Sequence, residues 1–419
     1  MADKLRSIAF YLPQYHPTPE NDEWWGRGFT EWTNVSKARA EFAGHYQPHL
    51  PADLGYYDLR LPEVREAQAS LAREYGIHGF CYYHYWFNGR RILERPFNEV
   101  LESGSPDFPF CLCWANENWT RTWDGGEHHV LLGQNYSHED DRAHIRSLIP
   151  AFRDPRYIKV DGRPLFLVYR TELLPNPAKT AEIWREECRL AGLGEIYLAR
   201  VENFERLIAP AAIGFDAAIE FAPDTTSGSV GLMRGGVHRF LANVGLLPNI
   251  FKHERIINYQ SVAKAMAART LNSYPRFRCV TPMWDNSARR GLRATVYTGS
   301  HPRLYEQWLT SVVRSTRKER AGDEKLVFIN AWNEWGEGCH LEPDLRWGRA
   351  YLEATRRALS CSQAVADSTP RHRAAAEAAD GGLKRYYWRV RAHIESIFGI
   401  LRQIIFRIGS VIVSKSNDK

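Results

Sequence analysis

The chain has 419 residues, enough for one large barrel or two ordinary domains, and 44% hydrophobic with 25% charged residues is the balance of a globular protein. From Arg371 onward it carries ten Lys/Arg against four Asp/Glu, which leaves 45 of each sign in the first 370 residues. The formal excess of +6 therefore belongs to a tail, and a body of zero net charge excludes an ordinary nucleic-acid enzyme.

Aromatic residues make up 13%, with 14 Trp, 20 Tyr and 19 Phe, enough to fill a large core and still leave flat faces that stack on sugar rings. Seven cysteines form no CxxC pair and no zinc spacing. The N-terminal MADKLRSIAFYLPQYHP has no long apolar stretch followed by a cleavage site. Together these features fit a reducing cytoplasm.

Ser7 to Tyr15 reads as a first strand running to a functional rim, where Pro13 ends ladder pairing and turns Gln14, Tyr15 and His16 toward a cleft. A long, aromatic-laden segment without regular structure follows, from Trp24 through FTEWTNV to His45-Tyr46-Gln47-Pro48-His49, and loops of that length usually bind something. A metal on His45 and His49 is disfavoured, because Pro48 breaks the helix that would align them. Pro62 to Tyr75 is an amphipathic helix, and Gly79 to Phe87 the second strand, carrying His84, Trp86 and Asn88 at its end. A helix near Ile92 to Glu102 leads to the third strand, Phe108 to Ala115, which ends in Asn116-Glu117-Asn118-Trp119. His138 to Phe152 is helical.

Pro164 to Arg170 is the fourth strand, followed by a helix from Pro177 to Ala191. Ile196 to Val201 is the fifth strand and Ala217 to Phe221 the sixth. Pro223 to Gly236 reads as a polar, Gly-rich loop. Arg278 to Trp284 is the seventh strand, ending in Trp284-Asp285-Asn286. The eighth, Leu326 to Ala331, runs into Asn333-Glu334-Trp335-Gly336-Glu337-Gly338, and a last helix spans Gly348 to Leu359.

Eight short apolar strands, mostly separated by helices, define an α/β fold, a (β/α)8 TIM barrel over residues 1–360. Active sites of such barrels lie at the C-terminal strand ends, which here hold His84, Asn116, Glu117, Trp119, Trp284, Asp285, Glu334 and Glu337. Two glutamates three residues apart at the mouth of a buried strand suit a carbohydrate acid/base pair; a solvated loop is the plainer reading. Residues 361–382 read as a linker. Residues 383–419 form a basic amphipathic helix, with Tyr387, Val390, Ile394, Ile397, Leu401, Ile404, Ile408 and Val411 on one stripe. Arg402, Gln403 and Arg407 make it a poor membrane span, so it lies on an anionic inner-membrane surface or packs against the barrel or a partner subunit.

The stretch NEWGEG followed by HLEP resembles the endo-α-mannosidase barrels of glycoside hydrolase family 99. AFYLPQYHP, HYQPHLPADLGYYDLR, GFCYYHYWFNGRR, CWANENWTRTWDG and AWNEWGEGCHLEPD together resemble the WbsX-type glycosyltransferases of bacterial O-antigen and lipopolysaccharide synthesis. The resemblance spans roughly residues 7–358 and leaves out the tail. It implies that Glu334 is the base that draws the substrate's 2-hydroxyl onto the anomeric carbon, and that Glu337 is the acid/base at the leaving oxygen, with net retention. An inverting two-carboxylate scheme is the rival. The hydrolases usually have a bulky residue where this chain has Gly336.

Substrate contacts are expected from Tyr15, His49, His84, Trp86, Asn116, Glu117, Trp119, Trp284, Asp285, Asn333 and Trp335. The substrate is expected to be an oligosaccharide or lipid-linked glycan, with no metal, no cofactor and no nucleic acid. There is no D-x-D motif or Gly-rich phosphate cradle of the kind that favours nucleotide-sugar transferases. The alternatives are an endo-α-mannosidase-like hydrolase of free glycans and a carbohydrate-binding barrel without turnover.

Overall fold

The computed structural model describes residues 5–42, 44–121, 126–202, 208–223, 236–247, 255–269 and 273–361. The expected linker after Cys361, the basic amphipathic helix of 383–419 and the body of the Gly-rich loop after Pro223 lie outside them.

Eight strands close a barrel: β1 (Arg6–Tyr11), β2 (Gly79–Phe87), β3 (Phe110–Trp114), β4 (Arg163–Val168), β5 (Tyr197–Glu202), β6 (Ala217–Glu220), β7 (Arg276–Val280) and β8 (Leu326–Ile329). Each pairs in parallel with the next, and β8 returns to β1 with Arg6 opposite Leu326. Strands buried on both faces need continuous apolar sequence, and all four residues of β8 are fully buried.

Helices at Pro62–Glu74, Arg95–Ser103, His138–Arg153, Pro177–Leu190, Tyr259–Ala267, Pro302–Glu319 and Ala350–Ser360 form the outer layer. Among its described residues the link from β5 to β6 carries a short 3-10 turn, Pro210–Ile213. The interior is filled: Phe10 of β1 meets Tyr83 of β2, Phe328 of β8 and, across the barrel, Phe221 beyond β6, at 5.6–5.7 Å between ring centres. At the start of β2 only glycine fits, because a Cβ on Gly79 would stand 2.5 Å from the Pro109 carbonyl oxygen.

Four sequence expectations need correction. The first strand stops at Tyr11, since the Leu12 N–H turns to the Asn333 side chain at 2.7 Å and Pro13 has no N–H to offer. The aromatic segment holds two seven-residue helices, Pro19–Trp25 and Glu31–Lys37; the first is capped by Thr18 with Pro19 at its first position. Residues Arg90–Ile92 fold back antiparallel on the end of β2, so the next helix begins only at Arg95. The seventh strand ends at Val280, four residues before Trp284, and a small parallel pair joins Arg255–Asn258 of the β6–β7 connection to Thr295–Thr298 of the β7–β8 connection.

All seven cysteines are free thiols and six are buried. Among the described residues no helix is long and apolar enough to cross a membrane.

Candidate active site

Beyond β8 the chain makes a tight hairpin in which Asn333–Glu334 pairs antiparallel with Cys339–His340. Its tip is the 3-10 turn Trp335–Glu337, closed by Gly338 at φ +57°. The hairpin is held from below. The Asn333 amide accepts the Leu12 N–H at 2.7 Å and donates to the Leu12 carbonyl at 3.0 Å. The Tyr15 hydroxyl donates to the Asn333 carbonyl and accepts the Trp335 N–H. The Trp335 indole N–H, the Tyr57 hydroxyl and the Gln68 amide all donate to the buried Glu342 carboxyl at 2.7–2.8 Å. Burial still pushes that carboxyl up to about 7. From the β7 side the Asp285 N–H donates to the Glu337 carbonyl at 2.8 Å, and a Cβ on Gly338 would press on Asp285 at 3.0 Å.

With the turn so fixed, Glu334 and Glu337 face one guanidinium. Arg289, on the short helix Ser287–Arg290, reaches Glu334 Oε2 with Nη2 at 2.8 Å and Glu337 Oε1 with Nη1 at 2.9 Å. Its Nε donates to Oε1 of Glu31, the first residue of the helix Glu31–Lys37, at 2.8 Å. Glu31 is fully buried, the Glu334 side chain 6% exposed and the Glu337 side chain 25% exposed. Gly336 makes this packing feasible, because a Cβ there would lie 1.8 Å from Glu31 Oε1.

Three carboxylates around a single cation cannot all ionise cheaply away from water. Desolvation, joined by the charges of Glu337 and Glu31 and opposed by Arg289, pushes Glu334 up to about 8. Glu337 moves up for the same leading reason. Burial works against the Arg289 charge, but the three acids outweigh it and hold the guanidinium firmly protonated. Near neutral pH the cluster therefore retains a proton on the glutamate pair, as a general acid requires.

Arg289, Glu334 and Glu337 form the floor of a cavity of about 240 Å³ at the C-terminal mouth of the barrel, just below the ~300 Å³ lower end of common ligand sites. Tyr83 and Tyr85 of β2, Tyr169 beyond β4 and Phe221 beyond β6 wall it. Trp25, Glu117, Asn118 and Trp119 stand at its edge. Glu117 pairs with Arg170 at 2.5 Å, and Trp119 meets Tyr85 edge-on with ring centres 5.4 Å apart.

Of the residues expected at the site, Glu334, Glu337, Glu117 and Trp119 line this cavity, and nine do not. Tyr15, Asn333 and Trp335 support the turn from beneath. Asp285 is buried against His45 Nε2 at 2.6 Å, and Trp284 is buried in the core. Asn116 braces the backbone of Arg170 through two bonds of 2.8 Å. His84 points out of the barrel to His144, with Nε2 atoms 2.9 Å apart, and the Trp86 indole N–H donates to Asp140 at 2.9 Å. His49 lies behind the hairpin, against His340. The error at β2 is one of face: side chains alternate along a strand, and Tyr83 and Tyr85 point inward where His84 and Trp86 were expected.

Sequence reasoning missed Glu31, Arg289, Tyr83 and Tyr85. A buried acid in FTEWTNV is a usable signal only once the segment is read as an apolar-faced helix. Among the described residues one set of metal-ligating side chains converges: His49, His340 and Asp344, with ligand atoms within 4.8 Å.

The model of a family described as "Glycosyltransferase WbsX" matches residues 7–355. The chain is 46% identical over 368 residues to a protein named WxcX from Xanthomonas campestris pv. campestris, covering 86% of this chain and 50% of that protein. It thus spans about half the length of the curated relatives it matches. Among solved structures it is similar to the GH99 endo-alpha-mannosidase of Bacteroides thetaiotaomicron (TM-score 0.51, 14% identity, 84% of this chain and 96% of that one). It is similar also to a glycoside hydrolase-like protein (TM-score 0.53, 14% identity, 86% and 95%). At such identities the likeness concerns the barrel fold alone.

Proposed function

The chain belongs to the WbsX glycosyltransferase family, and from that premise we propose that it transfers or cleaves glycosyl groups during assembly of a bacterial surface polysaccharide, with Glu334 and Glu337 handling the protons. The observation that carries this reading is the pairing of the two carboxyls through Arg289 on the floor of an aromatic cavity. Aromatic walls suit the apolar faces of sugars, and the retained proton suits a poor leaving group.

In this mechanism Glu337, the more exposed acid, gives its proton to the departing glycosidic oxygen. Glu334 takes the proton of the sugar's own 2-hydroxyl, whose oxygen closes on the anomeric carbon as the bond to the leaving group breaks. An acceptor hydroxyl or water then loses its proton to Glu337 and opens that ring, while the 2-oxygen recovers its proton from Glu334. The configuration is retained and every proton is returned. In the free enzyme burial favours a proton on Glu334. The reaction needs the other arrangement of that proton, with Arg289 and the bound sugar holding Glu334 ionised while Glu337 keeps the proton, so substrate binding has to shift it.

The substrate in this reading is an oligosaccharide or lipid-linked glycan met in the cytoplasm, with the basic segment 383–419 resting on the anionic inner membrane. The test is incubation of the full chain with lipid-linked and free mannose- and rhamnose-containing oligosaccharides, with and without nucleotide sugars, read by mass spectrometry. Chain growth supports transfer and shortening supports hydrolysis. Binding without turnover across the panel would leave a carbohydrate-binding barrel. For the tail, a chain ending at residue 382 that sediments with anionic vesicles as fully as the whole chain removes the membrane role.

A further inference from the structure

Behind the catalytic hairpin, outside the cavity, His49, His340 and Asp344 bring three ligand atoms together in a site almost closed to solvent. The three residues are 2%, 1% and 1% exposed. They arrive from separate places: His49 from the segment before the first long helix, His340 from the return strand of the hairpin, and Asp344 from the turn that follows it.

His340 Nδ1 lies 2.9 Å from the Glu342 carbonyl oxygen. That contact places the proton on Nδ1 and leaves Nε2 a bare lone pair. A carbonyl holding the far nitrogen is the usual support behind a metal-binding histidine. His340 Nε2 faces His49 Nδ1 at 2.9 Å and Asp344 Oδ2 at 3.9 Å. The two oxygens of Asp344 are treated differently. Oδ1 accepts the N–H groups of Arg346 and Trp347, at 3.0 and 2.5 Å, the Tyr46 hydroxyl also reaches this carboxylate, and no hydrogen bond of good geometry ends on the buried Oδ2.

We propose that His49 Nδ1, His340 Nε2 and Asp344 Oδ2 bind a divalent transition-metal ion, zinc by preference, as a structural cross-link behind the hairpin that carries Glu334 and Glu337. Two nitrogens and one carboxylate oxygen match zinc. Tetrahedral bonds of ~2.0–2.1 Å would set ligand atoms ~3.3 Å apart, between the 2.9 and 3.9 Å found here. The ion gives Asp344 Oδ2 its missing partner and holds the His340 ring, on which Trp335 stacks with ring centres 3.6 Å apart. It acts on the rigidity of the turn and takes no part in proton transfer.

The test uses the full chain, stripped with a chelator and titrated with Co2+ as a spectroscopic stand-in for zinc. The expected result is visible d–d bands that saturate at one ion per chain, vanish on addition of Zn2+, and are lost in Asp344→Asn and His49→Gln. Zinc should raise the Tm of the parent chain and leave the Tm of both variants unmoved. No stoichiometric bands in the parent, or bands that persist in both variants, would overturn the site and leave a direct imidazole–imidazole hydrogen bond. Should the variants fail to fold, X-ray absorption of the zinc-loaded parent decides, since a first shell lacking two imidazoles is equally fatal. None of these readouts depends on glycan turnover.

Discussion

Gly336 and Glu31 occupy the same space in turn: the hydrogen on the glycine Cα leaves room for a carboxylate that any Cβ would strike at 1.8 Å. Gly336→Ala must therefore displace Glu31 or Arg289. Overpacking of this kind costs about 1–3 kcal/mol. The expected outcome is a lower Tm together with a loss of turnover of at least about tenfold, because the same shift moves the guanidinium that touches both Glu334 and Glu337.

Arg289 touches all three acids of the cluster, the buried Glu31 and Glu334 and the partly exposed Glu337. Removing one member of a buried ion pair typically costs roughly 3–5 kcal/mol, and Arg289→Met should show a loss of that order in urea denaturation. Adding Glu31→Gln to Arg289→Met should recover part of it, since one uncompensated acid is gone. A double variant no more stable than the single one would contradict the electrostatic account.

The retained proton sets a pH dependence with a definite sign. Folding raises Glu334 from 4.5 to about 8, so the folded state binds the extra proton between those values. The stabilisation this provides is complete below pH 4.5 and is lost as pH rises through about 8. The Tm of Glu334→Gln relative to the parent should therefore climb across that window, by no more than about 1.4 kcal/mol per pH unit in free-energy terms. In activity, the alkaline limb should move to lower pH in Glu31→Gln, because the Glu31 charge helps to hold the proton on Glu337, the acid of the proposed mechanism.

Glu337→Gln removes the proton donor of the proposed mechanism. Activity toward ordinary glycosides should fall roughly 10²–10⁴-fold, while kcat/KM for activated aryl glycosides, whose bond cleavage needs no protonation, is largely retained. Unaltered turnover on both kinds of substrate would take Glu337 out of the mechanism.

Trp119 and Trp86 separate cavity from core. Trp119 lines the cavity, so Trp119→Ala should raise KM roughly 2–10-fold, the worth of ~0.5–1.5 kcal/mol of ring contact. Trp86 spends its indole N–H on Asp140, so Trp86→Phe should cost ~1–3 kcal/mol of stability and leave KM unchanged. Calorimetry and steady-state kinetics on the two variants test the assignment.

The eight strands and the Glu334–Glu337 pair could be read from the chain because each is a local signal: a short apolar run, and two acids beside a strand end. A buried parallel strand shows apolar residues on both faces, so its sequence does not say which side chains enter the barrel: on β2 Tyr83 and Tyr85 do, and His84 and Trp86 face the helices. Nor could local pattern pair Glu31 with Arg289, 258 residues apart. Whether an acid is a solvated loop residue or a raised-pKa proton donor depends on what desolvates it and which charge faces it. Both are decided only when the barrel closes and brings the Glu31 helix, the turn beyond β7 and the β8 hairpin to one point.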